Sequence, residues 1–95
     1  MIKHIVMYFL KNNSASNRDA IKQKFLSMRG NIPCLKSIEV GIDFLQSERS
    51  CHISLCCTFT DRKGLEEYAS HPVHLPVKEF LKEYVDKSFS VDYEV

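Results

Sequence analysis

Phe59 to Val77 reads F-T-D-R-K-G-L-E-E-Y-A-S-H-P-V-H-L-P-V, and its punctuation decides the fold. An alternating stretch ends at Phe59. Asp61 is placed to cap a short helix whose apolar side is Leu65, Tyr68 and Ala69. His71-Pro72 stops that helix, because a residue before proline is driven out of the helical region. A second helix is expected almost at once, with Val73, Val77, Phe80, Leu81, Tyr84 and Val85 at helical spacing. Two short helices in series, broken at a proline corner, therefore separate two strands.

Working back from this stretch, Cys51, Ile53, Leu55, Cys57 and Phe59 alternate with His52, Ser54, Cys56 and Thr58, the pattern of a half-buried strand. Gln46 to Ser50 is a polar loop. Before it, Ile38, Val40, Ile42 and Phe44 alternate with Ser37, Glu39, Gly41 and Asp43, a second such strand. Ile32-Pro33 is a turn, and Gly30 suits the left-handed end of a helix carrying Ile21, Phe25, Leu26 and Met28. Ser16 with Asp19 reads as the N-terminal cap pair of that helix. Ile2 to Leu10 is a strand that is apolar on both faces, with Ile2, His4, Val6, Tyr8 and Leu10 on one and Ile5, Met7 and Phe9 on the other. Working forward, Phe89, Val91, Tyr93 and Val95 alternate with Ser88, Ser90, Asp92 and Glu94 in a last strand.

The order is βαββαβ. Its familiar solution is an α+β, ferredoxin-like domain: a four-stranded antiparallel sheet with the helices on one face. The other face is left bare. The first strand makes that face apolar, so water is a poor neighbour for it. A second copy is expected to lay its sheet against this one, the two sheets forming a β-barrel in a homodimer.

Ninety-five residues form one domain, residues 1–95. A chain of this length buries only about 60–65% of its extended surface, so a partner subunit helps it. The net charge is +1 and the thirteen basic residues are scattered, which points to no nucleic-acid partner. The apolar run Ile5 to Leu10 is too short to span a bilayer, so no membrane partner is expected. Met1-Ile2-Lys3-His4 leads straight into a strand with no cleavage site behind it, and a cytoplasmic location is expected. Four cysteines without a C-x-x-C pair read as four buried small thiols in a reducing compartment. There is no dinucleotide fingerprint or phosphate-cradling loop, and no cofactor is expected.

Chemistry concentrates at the proline corner, where Tyr68, His71 and His74 crowd together. His71 and His74 have the spacing of two ligands on one helix face, but Pro72 disrupts it and no third ligand matches, so no metal site is expected. An imidazole in a mostly apolar cavity can serve as acid or base, and His74 is the candidate. The alternative for His74 is a core histidine bonded to a carbonyl; for Tyr68 it is packing with a satisfied hydroxyl. His71 is placed to hold the corner. If the face of β-strand residues His4 and Tyr8 meets the helices, His4, Tyr8, Tyr68 and His74 line one pocket. His52 lies on the polar parity of its strand and stays outside it.

M-I-K-H-I-V at 1–6, I-P-C-L-K-S-I-E-V-G at 32–41, the stretch from Phe59 to His74 and V-D-Y at 91–93, taken in order, resemble the stress-responsive A/B barrel (Dabb) family over nearly the full chain. The resemblance implies a dimeric barrel with a cavity between sheet and helices in each subunit. Most members have no assigned reaction. Relatives of the olivetolic-acid-cyclase type close a linear polyketide by intramolecular aldol chemistry without a cofactor. In these, the last histidine of H-P-x-H is the acid/base and the preceding tyrosine assists. The matching positions are His74 and Tyr68, and the early strand histidine of the family matches His4. The pocket tyrosine of such cyclases is Phe25 here, Tyr8 is bulkier than the aliphatic residue expected near it, and a strand histidine of theirs falls at Ile53, beside His52.

Three functions follow. The leading one is a dimer binding an apolar or aromatic small molecule, with His4, Tyr8, Phe25 and His71 as ligand-binding residues. The second is cofactor-independent cyclisation or cofactorless oxygenation, with His74 and Tyr68 catalytic. The third is a structural stress-response oligomer.

Overall fold

The computed structural model describes all 95 residues. The elements are β1 (Ile2–Leu10), α1 (Ala15–Leu26), β2 (Ser37–Ile42), β3 (Ile53–Phe59), α2 (Arg62–Ala69), α3 (His74–Lys82) and β4 (Val85–Glu94). The strands form one antiparallel sheet in the order β2-β3-β1-β4. This is the ferredoxin-like α+β arrangement read from the sequence, with the second helical stretch divided in two. No helix is long and apolar enough to cross a membrane.

Local chemistry sets the boundaries. Asp61 caps α2, accepting the Gly64 N–H at 2.9 Å. At the corner, the His71 carbonyl accepts the N–H groups of both His74 and Leu75, so the first turn of α3 is satisfied without a side-chain cap. Some boundaries differ from those the sequence predicts. The cap of α1 is Ser14, not the Ser16–Asp19 pair; extended backbone at Ser14 lets its hydroxyl accept the Asn17 N–H at 3.2 Å. Strand β2 ends at Ile42, because Asp43 turns the chain by accepting the Gln46 N–H at 2.7 Å, and Phe44 is left 90% exposed. The helical stripe stops at Lys82, and Val85 opens β4 instead of closing a helix.

Side chains opposite one another in an antiparallel ladder share a face. Ile2, Val6 and Leu10 therefore join Phe59, Leu55 and Ile53 and the β2 residue Ile38 under the helices, where Ile21, Phe25, Tyr68, Val77 and Leu81 close the core. On β4 the same face carries Ser88, Ser90, Asp92 and Glu94, all exposed: a polar ledge beyond the cover of the helices. The opposite face is uncovered and divided. Its β1–β4 half presents Ile5, Met7, Phe9, Phe89, Val91 and Tyr93, whereas its β3–β2 half presents Ser54, Cys56, Thr58, Ser37, Glu39 and Gly41. A Cβ at Gly41 would come within 2.9 Å of Ser54 Oγ, so the serine side chain would have to turn aside.

Candidate functional site at the proline corner

The helix face of β1 meets α2 and α3, and three of the predicted side chains come together there. His74 stacks on Tyr68 with ring centroids 4.0 Å apart and planes 23° from parallel. His4 approaches the same tyrosine edge-on at 6.1 Å. Tyr68 is thus contacted by two imidazoles, one delivered by a strand and one by the first residue of a helix. Phe59 packs against it from below at 5.1 Å.

Hydrogen bonding assigns the tautomers. His74 Nδ1 lies 3.3 Å from the Ala69 carbonyl, which can only accept, so Nδ1 carries the proton and Nε2 keeps its lone pair. His4 Nδ1 is bonded to Asp92 Oδ1 on the β4 ledge, and again a carboxylate acceptor places the proton on Nδ1. An anchored Nδ1–H fixes ring orientation and leaves Nε2 as the basic atom.

Burial tunes the groups differently. It pushes the His74 pKa below the ordinary histidine value, outweighing the Ala69 carbonyl, which favours the cation. Tyr68, 2% exposed, is pushed well above the usual phenol range, first by burial and then by the neighbouring Cys57 and Tyr8, so its hydroxyl stays protonated and can donate a hydrogen bond. The Cys57 thiol is pushed up to about 12, chiefly by burial, which makes it inert as a nucleophile.

The other predicted residues border this array and make contacts of their own. Tyr8 and Phe25 form their own aromatic pair at 5.4 Å, with Phe25 1% exposed in the core under α1. His71 Nδ1 accepts the Val73 N–H at 3.1 Å and holds the corner. No group of three or more His, Cys, Asp and Glu side chains is arranged to hold a metal ion. The space beneath Tyr68 is filled by core side chains. One open hollow nearby is a groove of about 400 Å³ between α2 and β4, lined by Ile2, Leu65, Arg62, Glu66, Asp92 and Glu94 among others. Arg62 spans its rim to Glu94 at 2.6 Å. Asp92 is thus shared by the groove and the histidine array.

The model of the stress responsive A/B barrel domain matches residues 2–95. The chain belongs to the Dabb family. Solved structures agree. A dimeric protein of unknown function with a ferredoxin-like fold from Bacteroides fragilis is 26% identical, covers 99% of this chain and 95% of its own, and has a TM-score of 0.83. A dimeric ferredoxin-like protein of unknown function from Jannaschia is 28% identical, with coverage of 99% and 98% and a TM-score of 0.79. The hydroxynitrile lyase of Passiflora edulis has the same fold, at 16% identity, 99% and 92% coverage and a TM-score of 0.84. No curated protein matches.

Asp92 is the residue of this Dabb site that sequence reasoning missed. It lies 88 positions from His4, and only the register of β1 against β4, His4 opposite Asp92, joins them. The signal available was its parity, which places it with Ser88 and Ser90 on the polar side of the last strand.

The depressed His74 pKa makes stability pH-dependent. Between its folded value and the unfolded value of about 6.5, the unfolded chain binds more protons, so stability rises with pH across that window. The contribution of His74 is fully present above about pH 6.5 and is lost as the pH falls through the folded value. The expected result is a melting temperature that climbs from pH 5 to pH 7, with a shallower climb in His74→Gln; thermal denaturation across that range checks it, and parallel curves exclude His74 as the source.

Proposed function

We propose that this Dabb protein is a homodimer, its protomers meeting sheet to sheet, that binds an apolar or aromatic small molecule beside the His4–Tyr68–His74 array and moves a proton on it. The observation that carries the proposal is the pair of imidazoles flanking one tyrosine, each with Nδ1–H tied to an oxygen and Nε2 left basic. His74, kept neutral by partial burial, is the base. His4, oriented by Asp92, is the second acid/base. Tyr68, protonated throughout, offers a hydrogen bond to a carbonyl oxygen that reaches the inner end of the array, where charge develops when an adjacent C–H loses its proton. Proton abstraction next to a carbonyl is the reaction class this set fits. Ile2 and Leu65 supply the apolar wall of the groove, and Asp92 joins that groove to the bases.

The dimer is supported by the apolar β1–β4 half of the bare face, with Met7 43%, Phe89 54% and Val91 51% exposed in one chain, and by the dimeric relatives from Bacteroides fragilis and Jannaschia.

Exchange of the acidic C–H of an aryl 1,3-diketone with deuterated water, followed by proton NMR, tests the chemistry. Acceleration by the wild type is expected, with a loss of about 100-fold or more in His74→Ala and a smaller loss in Asp92→Asn. Wild-type protein no faster than free imidazole, or full activity in the His4→Ala/His74→Ala double variant, overturns it. The filled core below Tyr68 favours a second reading, in which the corner is architectural: His74→Ala then lowers the melting temperature while the wild type shows no exchange.

A further inference from the structure

His52 stands on the uncovered face, just before β3 and beside the Phe9 end of β1, in a cluster separate from the proline corner. Its ring meets the Phe9 ring at 5.6 Å, edge to face. Phe9 in turn meets Phe89 at 6.1 Å, and Lys87 Nζ lies 4.9 Å from the centre of the Phe9 ring. The Phe9 ring is therefore contacted by an imidazole, a phenyl and an ammonium, on the surface assigned above to the partner subunit.

The imidazole also has a backbone duty. Register slips between Phe9 and Leu10 in the β1–β4 ladder, and the Leu10 N–H is taken by His52 Nδ1 at 2.8 Å. An N–H can only donate, so Nδ1 holds a lone pair and the proton of the neutral ring is on Nε2. This is the opposite tautomer to that of His4 and His74. The difference matters on acidification. Their Nδ1 atoms already carry a proton, and protonation at Nε2 leaves their bonds intact. His52 gains its proton at Nδ1 itself, the atom that accepts from Leu10.

We propose that His52 makes the sheet-to-sheet dimer pH-sensitive: protonation of Nδ1 expels the Leu10 N–H, turns the ring that braces Phe9, and sets a cation inside an apolar interface. The inference rests on the dimer of the preceding subsection and adds its regulation. The charged groups of the cluster are Lys87 from β4, whose Nζ lies over the Phe9 ring, and Asp43 from the β2–β3 connection, which lines the same hollow as His52 and favours an imidazolium. Asn13, Gln46, Ser47 and Ser50 complete the polar hollow beside His52 without a charge. Asp43 accepts the Gln46 N–H through Oδ2. Elsewhere on the face the charged side chains are Lys3 and Glu39. Burying a cation at the contact opposes association unless the partner pairs it.

Asparagine separates the two duties of the residue, because Oδ1 can accept from Leu10 and does not titrate. Sedimentation velocity over a concentration series at pH 7.5, 6.5 and 5.5 reads the dimer dissociation constant. The wild type is expected to weaken at least tenfold from pH 7.5 to 5.5, and His52→Asn to remain within a factor of two. A wild-type dimer indifferent to pH, or a His52→Asn dimer that weakens as the wild type does, overturns the proposal. A wild type that is monomeric at every pH overturns the dimer itself, a distinct failure. Long-range proton–nitrogen NMR of the wild type at pH 7.5 gives an independent check: His52 Nδ1 is expected to be unprotonated, and a protonated Nδ1 sinks the mechanism whatever the sedimentation shows.

Discussion

Replacing Phe89 and Val91 together with glutamate is expected to convert the protein from dimer to monomer at micromolar concentration. Both side chains lie on the uncovered face of β4, opposite Met7 and Ile5 of β1, and each is about half exposed in a single chain. Burying them against a partner contributes on the order of 1–2 kcal/mol each in each protomer. Two-fold symmetry applies every substitution twice, so the double change removes four such contacts and sets four carboxylates in the contact. Unpaired charge in an interior costs several kcal/mol per ion. The dissociation constant should rise by more than about 1,000-fold, corresponding to more than about 4 kcal/mol. Sedimentation velocity checks the mass, and far-UV circular dichroism checks that the chain remains folded. The matching control is Thr58→Glu with Ser37→Glu on the polar half of the same face, which should leave more of the dimer intact. Dimers that survive the β4 change while the control dissociates put the contact on the wrong half of the sheet.

The divided face shows how far sequence reading reaches and where it stops. Period-two alternation assigns every strand residue to one of two faces, and the ferredoxin-like order decides which strands are neighbours. From these alone the apolar character of Ile5, Met7 and Phe9 was legible, as was the need to cover it. Tyr68, His71 and His74 were legible as a cluster because a proline break forces their proximity within a few residues. Asp92 was not, because its partner is brought by a strand from the other end of the chain, and parity says which face a residue takes but not what stands beside it. The Phe44 error has a related cause. Alternation continues through Asp43 and Phe44, but the Asp43 carboxylate takes the Gln46 N–H and ends the strand first. Helical periodicity at Tyr84 and Val85 likewise continued past the point where the chain turns back into the sheet. Parity puts His52 on the face away from the proline corner, and its ring meets Phe9 there. Its bond to Leu10 depends on a local slip in the ladder, which leaves no trace in the pattern of apolar residues.

Phe59→Ala is expected to have the largest effect on stability of any single truncation near the site. The side chain is fully buried, packs on the Tyr68 ring at 5.1 Å, and lies opposite Ile2 in the ladder. Truncating a buried phenylalanine costs about 3–5 kcal/mol through lost transfer energy and the cavity left behind. Total stability of a domain this size is roughly 5–10 kcal/mol, so the change removes about a third of it or more. The effect also reaches the chemistry, because Phe59 supports Tyr68, and Tyr68 is the surface on which His74 stacks. His74 should then lose the partial burial that lowers its pKa, and NMR titration of its ring should show the value moving up toward that of a free histidine. Phe44→Ala is the contrasting case: the same chemical change at a side chain 90% exposed should alter stability by less than about 0.5 kcal/mol. Urea denaturation at one fixed chain concentration compares the two, since dimer formation ties apparent stability to concentration. Equal midpoints for Phe59→Ala and Phe44→Ala exclude the packing described for Phe59. A destabilised Phe59→Ala with an unmoved His74 titration keeps the packing but separates it from the tuning of the base, leaving contacts from α3 and the Ala69 carbonyl to hold His74 in place.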